Sequence, residues 1–155
     1  MCARGQFPAC PNTAVCSCSD HIIECHERGL TSVPFFQPVN HVYTKLNLEN
    51  NFIKTIPADA FKNIPNQSTV FLNNNSIRFI DEHALGGVDG KITRVNLAFN
   101  NFTRFPSSLG VLSTILNIDV SNNPIDEDGF DEHTVYEIGD TTRYTLVRMF
   151  FGNDS

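Results

Sequence analysis

No stretch of the chain holds the roughly 20 consecutive apolar residues that a spanning helix needs, although 41% of its 155 residues are hydrophobic. The expectation is a soluble, ordered chain without a membrane span. Positive charge is scarce, with 11 Lys and Arg against 17 Asp and Glu and a formal charge of −6. Nucleic acid is therefore not an expected partner, because its phosphate backbone would be repelled. Cysteine stops at Cys25, so nothing downstream can complete a paired CxxC zinc site. The chain also lacks a Gly-x-Ser-x-Gly elbow, a phosphate loop and a glycine-rich dinucleotide turn. Only Cys2 lies outside the cysteine cluster as a free nucleophile. No catalytic residue, metal or cofactor is expected.

The four clustered cysteines are Cys10, Cys16, Cys18 and Cys25, in the pattern C-x5-C-x-C-x6-C. This reads as a disulfide cap. Of the three connectivities, Cys10–Cys18 with Cys16–Cys25 is favoured over Cys10–Cys25 with Cys16–Cys18, which would bridge a strained loop. Zinc on Cys16, Cys18, His21 and His26 fits less well, because C-x-C is tighter than usual zinc spacing. Oxidised cysteines imply passage through an oxidising compartment, and so an extracellular location, yet the first nine residues contain no apolar leader. The expectation is a leader removed or missed. Cys2 is left over as a free thiol or as a bridge between chains.

What is abundant is asparagine, present 17 times. Its use emerges when the chain is aligned with itself. Leu48-x-x-Asn51-x-Ile53-x-x-Ile56 recurs as Leu72-x-x-Asn75-x-Ile77-x-x-Ile80, then as Leu97-x-x-Asn100-x-Phe102-x-x-Phe105, then as Val120-x-x-Asn123-x-Ile125. The leucines and Val120 are spaced by 72 − 48 = 24, 97 − 72 = 25 and 120 − 97 = 23 residues, the leucine-rich-repeat period. The template extends back through Ile23, Cys25, Leu30 and Val33, so cap and first coil are continuous. Alternations such as Leu46-x-Leu48 put apolar side chains on one strand face, where stacked coils share them. Asn51, Asn75, Asn100 and Asn123 are expected to form a ladder satisfying backbone groups between coils. The segments around Pro57–Phe61, Ala84-Leu85 and Phe105–Leu109 close each coil on the convex side, with short helical turns. The 13 phenylalanines are read as largely core.

From Cys10 to Ile125 the chain resembles the secreted animal leucine-rich-repeat family, with CPNTAVCSCSDHIIECHERGLTSVP similar to its cysteine-rich N-terminal cap. The resemblance implies an α/β repeat fold: a right-handed leucine-rich-repeat solenoid with a parallel concave β-sheet and an irregular or short-helical convex side. It also implies first-to-third and second-to-fourth cysteine pairing and a non-catalytic, protein-binding role. LNLENNFIKTIPADAF, TRFPSSLGVLSTI and IDVSNNPID resemble arthropod secreted members known as the non-catalytic subunit of Oplophorus-luciferin 2-monooxygenase. The family usually closes with a C-terminal cysteine cap, which this chain lacks after Ile125. The expected organisation is 1–34 as N-terminal segment and disulfide cap, 35–125 as about four repeats, and 126–155 as a tail or atypical cap. In that tail the stretches 134–138 and 144–151 are expected to form a hairpin around Gly139-Asp140, covering the last apolar face. Truncation, alternative splicing or a faulty gene model is the competing account.

The repeat register fixes which residues face outward from the sheet. These are Lys45, Asn47, Glu49 and Asn50; Thr69, Phe71, Asn73 and Asn74; Arg94, Asn96, Ala98 and Phe99; and Asn117, Asp119, Ser121 and Asn122. Ligand contact is expected from Lys45, Asn47, Glu49, Thr69, Phe71, Asn73, Arg94, Asn96, Phe99 and Asp119, centred on the two aromatics amid polar neighbours. Glycan acceptors are Asn66, Asn74 and Asn101, with a fourth tripeptide at Asn153; a sugar on Asn74 would lie close to Phe99. The acidic residues Asp126, Glu127, Asp128, Asp131 and Glu132 lack the spacing of a calcium loop, and His83 and His133 lack partners for a metalloprotease pair. All are read as solvated surface. The expected partner is an extracellular protein ligand or an enzyme subunit, with an oligomer through Cys2 or the uncapped end as the alternative.

Overall fold

The computed structural model describes residues 9–88, 90–129 and the backbone of 146–148. Nine short strands dominate it: β1 (Ser17–Ser19), β2 (Ile22–Glu24), β3 (Lys45–Asn47), β4 (Thr55–Ile56), β5 (Thr69–Phe71), β6 (Phe79–Ile80), β7 (Arg94–Asn96), β8 (Asn117–Asp119) and β9 (Leu146–Arg148). Seven of them form one sheet in the order β1-β2-β3-β5-β7-β8-β9. All pairings in it are parallel except the antiparallel β1–β2 hairpin at the capped end. Each coil adds one strand, and equivalent residues recur at 45 − 22 = 23, 69 − 45 = 24, 94 − 69 = 25 and 117 − 94 = 23. The fold is a leucine-rich-repeat solenoid.

The period-two alternation of the strands sets the layers. Leu46, Val70, Val95 and Ile118, aligned across the sheet, point inward and are buried, as are Leu48, Leu72, Leu97 and Val120 two residues later. Ile53, Ile56, Phe61, Ile77, Ala84, Ile92, Phe102 and Leu109 meet them from the other side of each coil. Each fully buried aliphatic or aromatic side chain contributes on the order of 1.5–3 kcal/mol. The cap belongs to the same core, since Ile23 and Cys25 are fully buried and β2 pairs with β3. Disulfides join Cys10 to Cys18 and Cys16 to Cys25, the favoured connectivity; the zinc alternative fails because its thiols are consumed.

One expectation needs correction. The phenylalanines are not largely core: of the nine described, Phe36, Phe61, Phe102 and Phe105 are buried, whereas Phe35, Phe52, Phe79 and Phe99 are exposed and Phe71 is half-buried. A repeat has few inward positions, and aliphatic residues fill most of them. On the convex side a 3-10 helix spans Ser107–Val111 and tight turns run through 58–63 and 82–88, in the expected segments, while 55–56 and 79–80 add a two-stranded parallel sheet, Thr55 with Phe79 and Ile56 with Ile80. Stacked extended segments there satisfy each other's backbone groups directly. In the tail, Leu146–Arg148 joins the sheet parallel to β8 (Asn117 opposite Leu146), continuing the solenoid by one strand at an interval of 146 − 117 = 29. The other arm of the expected hairpin, 134–138, lies outside the described residues, as do Asp131, Glu132, His133, Asn153 and Cys2.

Candidate functional site

Four rows of side chains run across the outer face of the sheet. The first contains Lys45, Thr69, Arg94 and Asn117, and the second Asn47, Phe71, Asn96 and Asp119, each aligned by strand register. The third, Glu49, Asn73, Ala98 and Ser121, and the fourth, Asn50, Asn74, Phe99 and Asn122, follow where the chain turns out of the strands. Their alignment is set by N–H donation from Asn50 to Asn73 O, Asn74 to Ala98 O, and Phe99 to Ser121 O. The sheet therefore brings the ten expected contact residues onto one face. Lys45 and Arg94 are exposed and have no ion-pair partner among the described residues. Ala98, expected to face outward, is 5% exposed; its methyl group is too short to emerge from the turn.

Several polar members of these rows already serve the backbone. Asn47 Oδ1 accepts from Glu49 N–H, Asn96 Oδ1 from Ala98 N–H and Asp119 Oδ1 from Ser121 N–H, each across two residues. Such side-chain turns tighten the exit from a strand. In the second row only β5 departs, with Phe71, and there Asn73 Oδ1 is buried without a hydrogen-bond partner. The fourth row is left-handed throughout: φ is +55° at Asn50, +54° at Asn74, +56° at Phe99 and +56° at Asn122. Asparagine tolerates that conformation; an aromatic residue does so at a cost. Phe99 nevertheless occupies it with its side chain 54% exposed. Both aromatics thus replace a residue type that would suit the backbone better.

Behind the sheet lies the asparagine ladder, a structural set. Asn100 is 5% exposed; its Nδ2 donates to Leu72, Leu97 and Ala98 carbonyls, and its Oδ1 accepts from Ile77 N–H. Asn51, Asn75 and Asn123 repeat the arrangement. Among the glycan acceptors, Asn74 and Asn101 are exposed, whereas Asn66 is half-buried and its Oδ1 accepts from Lys91 Nζ. His83 is exposed beside Asp81 and Glu82, and among the described residues no three His, Cys, Asp or Glu side chains are placed to hold a metal. No described helix is long and apolar enough to cross a membrane.

Residues 44–102 match the family model described as leucine rich repeat. Leucine-rich repeat-containing protein 3 of Danio rerio is 32% identical over 120 residues, 75% of this chain and 43% of its own length. Prolargin of Mus musculus is 33% identical over 104 residues, 66% of this chain and 26% of its own. Chondroadherin-like protein of Mus musculus is 33% identical over 89 residues, 57% of this chain and 12% of its own. The chain spans less than half the length of each of these relatives.

Proposed function

We propose that this leucine-rich-repeat solenoid is an extracellular protein-recognition module whose concave sheet face holds a protein ligand around Phe71 and Phe99. The observation that carries the reading is Phe99: an exposed aromatic in a left-handed turn where the equivalent residues are the polar Glu27, Asn50, Asn74 and Asn122. Lys45 and Arg94 supply exposed cations beside the aromatic pair, without an ion-pair partner among the described residues, and Thr69, Asn73, Asn96, Glu49 and Asp119 form a polar surround. An aromatic centre with a polar rim is the usual composition of a protein-binding hot spot. Two disulfides in so short a cap support an oxidising, extracellular setting. On the finer reading, which rests on the sequence resemblance alone, the same module holds a secreted enzyme as a non-catalytic subunit, the ligand then being the catalytic chain.

The test is affinity capture from native extracellular fluid with wild type beside a Phe71→Asn, Phe99→Asn variant. Asparagine restores the residue type of the neighbouring coils, so the fold is kept while the aromatic contact is lost. A partner retained by wild type alone supports the reading; identical retention by both baits sinks it.

A further inference from the structure

On the other side of the coils from the seven-stranded sheet, a groove of about 420 Å³ opens between residues 78–80 and 102–107. That volume suits a few side chains of a ligand. Arg78 and Arg104 line it, both exposed, beside the Phe79 ring, which is 56% exposed. The buried rings of Phe102 and Phe105 add apolar lining, and Thr103 a hydroxyl. Among the described residues, no carboxylate lines the groove and neither guanidinium has an ion-pair partner. Arg78 N–H donates to Lys54 O at 3.0 Å, which sets a third exposed cation in the adjoining coil. For a chain of formal charge −6, this is a local reversal of sign.

We propose that this groove is a second docking surface, separate from the sheet face, and that it takes an acidic peptide segment of a partner protein. A partner carboxylate is held by the guanidinium of Arg78 or Arg104, whose planar fork matches it. A neighbouring apolar side chain of the partner covers Phe79. A long, uniformly charged polyanion fits worse. Gly129 lines the groove, its carbonyl accepting from Phe105 N–H and its N–H donating to Asp126 O at 3.0 Å, so the exposed residues Asp126 and Asp128 adjoin that lining residue along the chain. They would repel a continuous run of negative charge, whereas a short segment ends before them.

The experiment titrates the 15N-labelled 155-residue chain with the synthetic peptide Gly-Glu-Phe-Glu-Gly, its Gln-for-Glu counterpart, and a sulfated hexasaccharide. Amide shifts are expected at residues 78–80, 102–105 and 107, with the neutral peptide weaker by about tenfold or more, since a charge-assisted bond is lost. The Arg78→Gln, Arg104→Gln variant should lose a similar factor, while Arg94→Gln on the sheet face leaves the affinity unchanged. Equal binding of charged and neutral peptides, no shift at these residues, or an unaffected double variant overturns the proposal. Tighter binding of the hexasaccharide in the same groove overturns it in favour of a polyanion site. Phe99→Asn, which should abolish capture by the sheet face, should leave this titration unchanged, so the two surfaces stand or fall separately.

Discussion

At the scale of single residues, Phe99 sets stability against recognition. A left-handed non-glycine residue costs on the order of 1–2 kcal/mol, less for asparagine, so Phe99→Asn should raise the unfolding free energy by about 1 kcal/mol. The reverse change, Asn122→Phe, should lower it by a similar amount in urea denaturation. A Phe99→Asn protein that is no more stable than wild type would show that the turn carries no strain. The ladder gives the opposite sign. Asn100→Ala strands Ile77 N–H and several carbonyls in a buried site and should cost about 2–4 kcal/mol. Asn123→Ala, at a half-buried position, should cost less in the same assay. The ladder residues were legible in the sequence because their spacing follows the period of the buried leucines. The backbone work of Asn47, Asn96 and Asp119 was not, because the same amide or carboxylate on a sheet face reads as a contact residue until its partner is seen. The paired asparagines at 50–51, 74–75 and 122–123 did hold the clue to Phe99: a residue type that tolerates positive φ, repeated at one position and broken there by Glu27 in the first coil and by Phe99.

At the scale of elements, the cap and first coil meet through an aromatic cluster. His21 and His41 stack with centroids 5.8 Å apart, and His41 meets the edge of Tyr43 at 4.7 Å. Their ring nitrogens cross-link the two loops, His21 Nδ1 to Val42 O and His41 Nε2 to Asp20 O. Tyr43, only 2% exposed, donates its hydroxyl to Ala9 O at 3.1 Å. Burial raises its pKa above the ordinary 10.0. Its neutral form is thus favoured in the folded chain, so its stabilising contribution is intact below the unfolded value and lost as pH rises through the folded one. Stability should fall more steeply above about pH 10 in wild type than in Tyr43→Phe. Parallel slopes in pH-dependent unfolding would refute this. The cap pairing was anticipated from four cysteines and a strained alternative. The β4–β6 sheet was not, because two-residue strands flanked by Pro57 and Asp81 carry no period for a pattern to reveal.

At the scale of the whole molecule, each coil touches mainly its neighbours, so the open edge of the sheet governs solubility. β9 covers β8 there. Removal of residues 130–155 should leave the β8 edge unpaired and shift the protein toward larger species in sedimentation velocity, relative to the full chain at equal concentration. An unchanged sedimentation coefficient distribution, beyond the lost mass, would count against that role. The repeat architecture was legible because four copies reinforce one another; the strand in the tail was not, because its interval of 29 departs from the 23–25 of the others and it brings no ladder asparagine.

The ladder also has a direction. Every asparagine reaches backward: Asn51 binds Cys25 O, Asn75 binds Leu48 O, Asn100 binds Leu72 O and Asn123 binds Leu97 O. The amides that each coil leaves open are closed only by the coil that comes after it. On a ribosome, where the capped end emerges first, a finished coil must wait for about one further repeat of translation before it is sealed. Folding therefore trails synthesis by one turn of the solenoid, and a stalled chain always presents one unsealed coil, the most recent one, to chaperones.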